Sequence, residues 1–177
     1  MSLFRLTAED AESVADLAEL IYPEEMALSV EEISEALQTA EQEEGNLSLG
    51  LSQGHRLRAY LLAWLEESRV EGLKESVVLV DDIGLSEESL FPEMLKGLAQ
   101  VLEESELGHL AIEGAMPGRM RQLFGEQRKL LERLGYREVN CQTYTEDEWG
   151  LELTWVRFER IEEELPEQLE TEGEFLA

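Results

Sequence analysis

The chain has 177 residues, 43% of them apolar, and sets 41 acidic side chains against 14 basic ones for a formal charge of −27. Its length and apolar content suit one domain with its own core. The charge excludes a reader of nucleic-acid phosphates and disfavours an anionic membrane surface, since both need lysine and arginine on the protein side.

One cysteine, Cys141, excludes an internal disulfide, and two histidines leave no Cys/His metal set. No apolar run is long enough to span a bilayer, and the N-terminus has no basic, apolar leader. The expectation is a cytoplasmic protein without a metal; its oligomeric state is left open.

In chain order, Ser2 to Leu6 suggests a short strand. Thr7 then caps a helix with Val14, Leu17, Ala18 and Ile21 on one face, and Tyr22-Pro23 ends it. Ser29 and Glu32 form a capping box for a second helix carrying Val30, Ile33 and Leu37. Leu47, Leu49 and Leu51 alternate as a strand, Gln53-Gly54 turns, and Arg56 to Leu65 returns as its hairpin partner. Ser76 to Val80 is a continuous apolar run and predicts a central strand.

Ser86 and Ser89 are expected as caps of a helix lined by Phe91, Leu95, Leu98 and Leu102. A short strand follows over His109 to Glu113. Pro117-Gly118 then turns into one helix from Arg119 to Leu134, closed by Gly135. Two last strands, Arg137 to Thr145 and Leu151 to Arg160, flank a turn at Glu146 to Glu148. From Ile161 onward, seven glutamates without a base predict a solvated tail over 161–177, after a domain over 1–160.

The order β-α-α-β-β-β-α-β-α-β-β implies an α/β (α+β) domain: a mixed, mostly antiparallel sheet with helices on both faces. This order resembles the GNAT-type N-acetyltransferases. Val80-Asp81-Asp82-Ile83-Gly84-Leu85 resembles that family's fourth strand, and Leu130-Leu131-Glu132-Arg133-Leu134-Gly135-Tyr136 its Leu-Gly-aromatic helix ending.

The resemblance implies transfer of acetyl from acetyl-CoA to an amine. It implies Asp82 or Asp81 as the catalytic base, and Ile83, Leu85 and Ser89 along the cofactor. It also places the basic span around Arg119 and Arg121 where the coenzyme arm lies, although those bases have many glutamates nearby to pair with. The first two helices and last two strands border the acceptor site, so Tyr22, Glu24, Glu25, Tyr144, Glu146 and Trp149 form an acidic, aromatic mouth for a cationic amine or a basic protein segment.

The sequence departs from the family at two places. The phosphate loop, Arg/Gln-x-x-Gly-x-Gly/Ala, falls on Leu90-Phe91-Pro92-Glu93-Met94-Leu95, where no glycine remains and a proline removes one donor. The family's leaving-group tyrosine falls on Leu131, and an earlier asparagine on Phe124. Two readings follow: an acetyl-CoA-dependent N-acetyltransferase for a cationic amine, or a non-catalytic acidic binding module on the same fold that has lost acetyl-CoA binding.

Overall fold

The computed structural model describes residues 1–23, 26–146 and 151–162, without the side chains of 140–146, 151 and 152. Glu24, Glu25 and Trp149 therefore lie outside the described residues. So do residues 163–177, most of the expected tail, and the side chains of Tyr144, Glu146 and Cys141.

Among the described residues, seven strands form one sheet: β1 (Ser2–Arg5), β2 (Leu49–Gln53), β3 (Arg56–Glu67), β4 (Ser76–Leu85), β5 (Ile112–Pro117), β6 (Tyr136–Glu146) and β7 (Leu151–Arg160). Their spatial order is β1-β2-β3-β4-β5-β7-β6. Only β4 and β5 run parallel; every other neighbouring pair is antiparallel. This is the mixed, mostly antiparallel sheet that the sequence predicts.

Helices cover both faces. On one face α1 (Ala11–Ile21) and α2 (Val30–Gln42) bury Val14, Leu17, Ala18, Ile33 and Leu37 against Tyr60 and Leu62 of β3. The Ser29–Glu32 capping box heads α2: Ser29 Oγ accepts the Glu32 N–H at 3.2 Å, and Glu32 Oε2 accepts the Ser29 N–H at 2.9 Å. On the other face α3 (Phe91–Glu104), α4 (Gly118–Glu126) and α5 (Arg128–Arg133) enclose the larger core, where Phe124 lies edge-on to Phe91 and stacks on Phe158.

Four expectations need correction. The helix expected over Arg119 to Leu134 is two helices, broken at Gln127, whose N–H bonds the Leu123 and Phe124 carbonyls as a cap. Neither Ser86 nor Ser89 caps α3: a short 3-10 turn over Glu88–Leu90 runs straight into it, and no side chain caps either start. β4 does not stop at Val80 but continues through Asp81 to Leu85, because its long partner β3 keeps offering backbone groups there. β5 begins at Ile112 rather than His109, after a turn in which the Leu110 N–H bonds the Leu107 carbonyl. Gly135 closes α5 as expected, at φ 94°, a conformation costly for other residues.

Candidate functional site

Antiparallel pairing fixes which way each backbone group of β4 points. Leu62 faces Asp82 and Ala63 faces Val80, so Asp81 is an extra residue, a β-bulge. Before the bulge, the Val78 N–H donates to the Ala111 carbonyl of the neighbouring chain segment at 2.9 Å. After it, the Ser86 N–H donates to the Arg58 carbonyl at 2.9 Å, so Gly84 and Asp82 turn their backbone groups toward β3. Ile83 and Leu85 then turn theirs the other way, toward β5. The β4–β5 ladder covers only Val78↔Ile112 and Leu79↔Glu113. Beyond it, β4 presents an edge that β5 does not pair.

At Ile83 that edge is filled from within the chain. The Ile83 N–H donates to Asp82 Oδ1 at 2.9 Å, and the Ile83 carbonyl accepts the Tyr22 hydroxyl at 2.6 Å. Tyr22 ends α1 in an extended conformation, imposed by the proline that follows it, and this carries its ring off the helix path toward β4. The same hydroxyl lies 3.0 Å from Asp82 Oδ1, and the Tyr60 hydroxyl donates to Asp82 Oδ2 at 2.7 Å. The Tyr60 ring occupies the space beside Gly84 that any larger side chain would fill.

A proton count describes this cluster. The Tyr22 hydroxyl has one proton and two acceptors, and the shorter contact, to Ile83, takes it. Burial raises the Asp82 pKa, against the lowering effect of bonds from Tyr60, Tyr22 and the Ile83 N–H. Both tyrosines are raised as well, by burial first and then by the Asp82 charge. Asp81 is different: it is open to solvent, and its carboxyl is pushed up to about 6 by burial around it and by Asp82, with Arg69 opposing. Of the two aspartates, Asp82 thus faces the tyrosines and Asp81 faces solvent.

Glu113, fully buried on β5, anchors the strand pair beside this edge. It accepts from Ser68 Oγ at 2.6 Å, from the Arg69 N–H at 3.2 Å, and from Arg157 of β7. Arg157 also pairs with Glu75 and with Glu159. Arg69 stacks over Trp155 at 5.8 Å, and the buried Trp155 indole N–H has no partner among the described residues.

The expected cofactor residues are largely committed elsewhere. The Ile83 side chain is in the core, Leu85 packs against it, and Ser89 is exposed on the 3-10 turn. Arg119 grips Glu88 at the start of α3, with Nε at 2.5 Å from Oε2, and reaches Glu126 at 3.6 Å. Arg121 pairs with Glu138 at 2.6 Å, beside an open depression of about 400 Å³ between α4, α5 and β6. Leu131 and Phe124 are buried in the core and offer no donor. Tyr136 is buried with its hydroxyl on the Gly108 carbonyl at 3.3 Å.

The residues present do not fit acetyl-CoA held at this edge and helix start. A phosphate at α3 would meet the Glu88 carboxylate and a turn without glycine, and a chain along β4 would find the Ile83 groups taken. Sequence reasoning singled out Asp81, Asp82 and Tyr22, which the fold brings together. It missed Tyr60, Glu113 and Arg157; charged residues inside the apolar runs Ile112 to Met116 and Trp155 to Phe158 were the available signal for the last two.

No model of a known protein family matches the chain, and no curated protein matches it. Solved structures do. An acetyltransferase of the GNAT family from Streptococcus pneumoniae superposes with a TM-score of 0.60 at 11% identity, covering 91% of this chain and 99% of that one. The ribosomal-protein-S18-alanine N-acetyltransferase of Escherichia coli gives 0.63 at 13% identity, over 92% and 94%. GphF, a GNAT-like decarboxylase in complex with isobutyryl-CoA, gives 0.62 at 10% identity, over 90% and 99%. At such identities the likeness is one of fold, and these proteins do not share one reaction. The chain has the GNAT-type acyl-CoA N-acyltransferase fold.

Proposed function

We propose that this chain is a non-catalytic acidic binding module on the GNAT fold, one that does not bind acetyl-CoA and that takes a basic protein segment or a cationic amine. The observation that carries this reading is the Glu88 carboxylate, held by Arg119 at the start of α3 where a phosphate would need bare N–H groups. The acids on α1 and α2 and just after α2 support the second half. Glu12, Asp16, Glu19, Glu31, Glu35, Glu43 and Glu44 are exposed, and none forms an ion pair among the described residues. Such a surface attracts cations over distances that salt shortens. Fluorescence anisotropy with a labelled oligolysine tests it: binding should weaken steeply with added salt, and retention at molar salt contradicts it.

One observation favours a second reading, an acetyl-CoA-dependent N-acetyltransferase for a cationic amine. Asp81, solvent-open with a pKa near 6, is poised to take a proton from an ammonium. A thiol-release assay with acetyl-CoA and polyamines decides between them. Release that Asp81→Asn slows at least tenfold supports the enzyme, and a silent wild-type protein excludes it.

A further inference from the structure

In a chain with 41 acids and 14 bases, bases without a carboxylate beside them stand out. Residues 119–138 carry six bases against three acids, a local excess of positive charge. Among the described residues Lys129, Arg133 and Arg137 form no ion pair, and Arg128 holds only Glu132 at 3.2 Å, an exposed pair of little strength. Arg128 and Arg137 stand exposed on the rim of the depression of about 400 Å³ between α4, α5 and β6, a volume within the range of ligand pockets. Its floor is apolar: Phe124, Leu131, Tyr136 and Phe158 lie beneath, with half-buried Val139 beside them. Arginines around an apolar floor fit an acidic segment that carries large apolar side chains.

The chain supplies such a segment next to this site. The Ile161 N–H donates to the Gly135 carbonyl at 2.8 Å, so the chain leaves β7 beside Tyr136 and Arg137, which line the depression. Residues 163–177 then carry six glutamates, no base, and the apolar Leu165, Leu169, Phe175 and Leu176. An extended chain advances about 3.3–3.6 Å per residue, so Leu165 and Leu169, four and eight positions past Ile161, can reach it. A short tether also sets an effective concentration of about millimolar, which favours this segment over a free peptide of the same kind.

We propose that residues 163–170 fold back onto α4, α5 and β6, seating Leu165 and Leu169 in the depression and their glutamates against Arg128 and Arg137. The seat lies on the sheet face away from α1 and α2, and it does not depend on whether the fold takes acetyl-CoA. It covers the basic face of an otherwise acidic chain.

Backbone amide relaxation of the full chain, measured by NMR at low salt, tests the seat. The proteins compared are the wild type, Leu165→Ser with Leu169→Ser, and Arg128→Glu with Arg137→Glu. The first pair lies beyond β7 and the second is exposed, and the amide spectrum of β3 and β4 reports whether the fold is kept.

In the wild type the order parameters of Leu165, Glu167, Gln168 and Leu169 should lie above ~0.6, toward the ~0.85 of rigid backbone, and both double variants should drop them below ~0.6. The leucine pair should also shift the amides of Gly125, Arg137 and Val139 while leaving those of α2 in place. Wild-type values below ~0.6 overturn the proposal and leave the depression to a segment of another chain. Unmoved depression amides in the leucine variant overturn it too, as does order that survives the arginine reversals. Order lost on dilution would put the segment on a second copy and overturn the tethered seat.

Discussion

The Tyr60 hydroxyl and the Asp82 carboxyl meet at 2.7 Å across β3 and β4, with the Tyr60 ring filling the space that Gly84 leaves free. Tyr60 is wholly buried, so this bond satisfies two polar groups at once, and removing one partner strands the other. Tyr60→Phe should therefore cost about 1–3 kcal/mol in urea unfolding at unchanged m-value. A loss below about 0.5 kcal/mol, the range of neutral surface changes, would show that Asp82 Oδ2 finds another donor once the Tyr60 hydroxyl is gone. Gly84→Ala should cost more, because its methyl group would occupy the Tyr60 ring position.

Asp81 makes a pH prediction. Its folded pKa, about 6, lies above the unfolded value of about 3.9, so the native state holds the proton more tightly. Stability contributed by the protonated form is present at low pH and lost as pH rises from about 4 to about 6. Asp81→Asn should then melt higher than wild type at pH 8 and equally at pH 4, with the gain held to about 1 kcal/mol by solvent access. A variant less stable at pH 8 would contradict the direction.

Glu113 and Arg157 form the buried ion pair that ties β5 to β7 and to the β3–β4 connection. Arg157→Met leaves Glu113 charged and enclosed, and should cost about 3–5 kcal/mol. The double variant Glu113→Leu with Arg157→Met should recover a large part of that loss. Additive losses in thermal unfolding would mean that the two residues act independently.

Much of the fold can be read from the residues. The hairpin of β2 and β3 follows from apolar alternation around Gln53-Gly54, α2 from the Ser29–Glu32 box, and the end of α5 from Gly135, because each is fixed by local chemistry. The bulge at Asp81 is not local. It arises from the register of β3 against β4, and it decides which residues face the open edge. Tyr60 looks like an ordinary strand aromatic until the bulge brings Asp82 beside it. The caps assigned to Ser86 and Ser89 fail for a related reason: once β4 extends to Leu85, the chain reaches α3 through a 3-10 turn that leaves no place for a capping serine. Asp81, Asp82 and Tyr22 were visible as chemistry, and only the tertiary pairing shows that two of them close an edge.

The proposal that this chain does not bind acetyl-CoA is tested most directly by thermal melting of the full chain with and without millimolar acetyl-CoA. A ligand at one hundred times its Kd adds about 2.7 kcal/mol of stability, several degrees for a domain of this size. The account predicts that the melting temperature of the wild-type protein does not move. A rise of several degrees would contradict it.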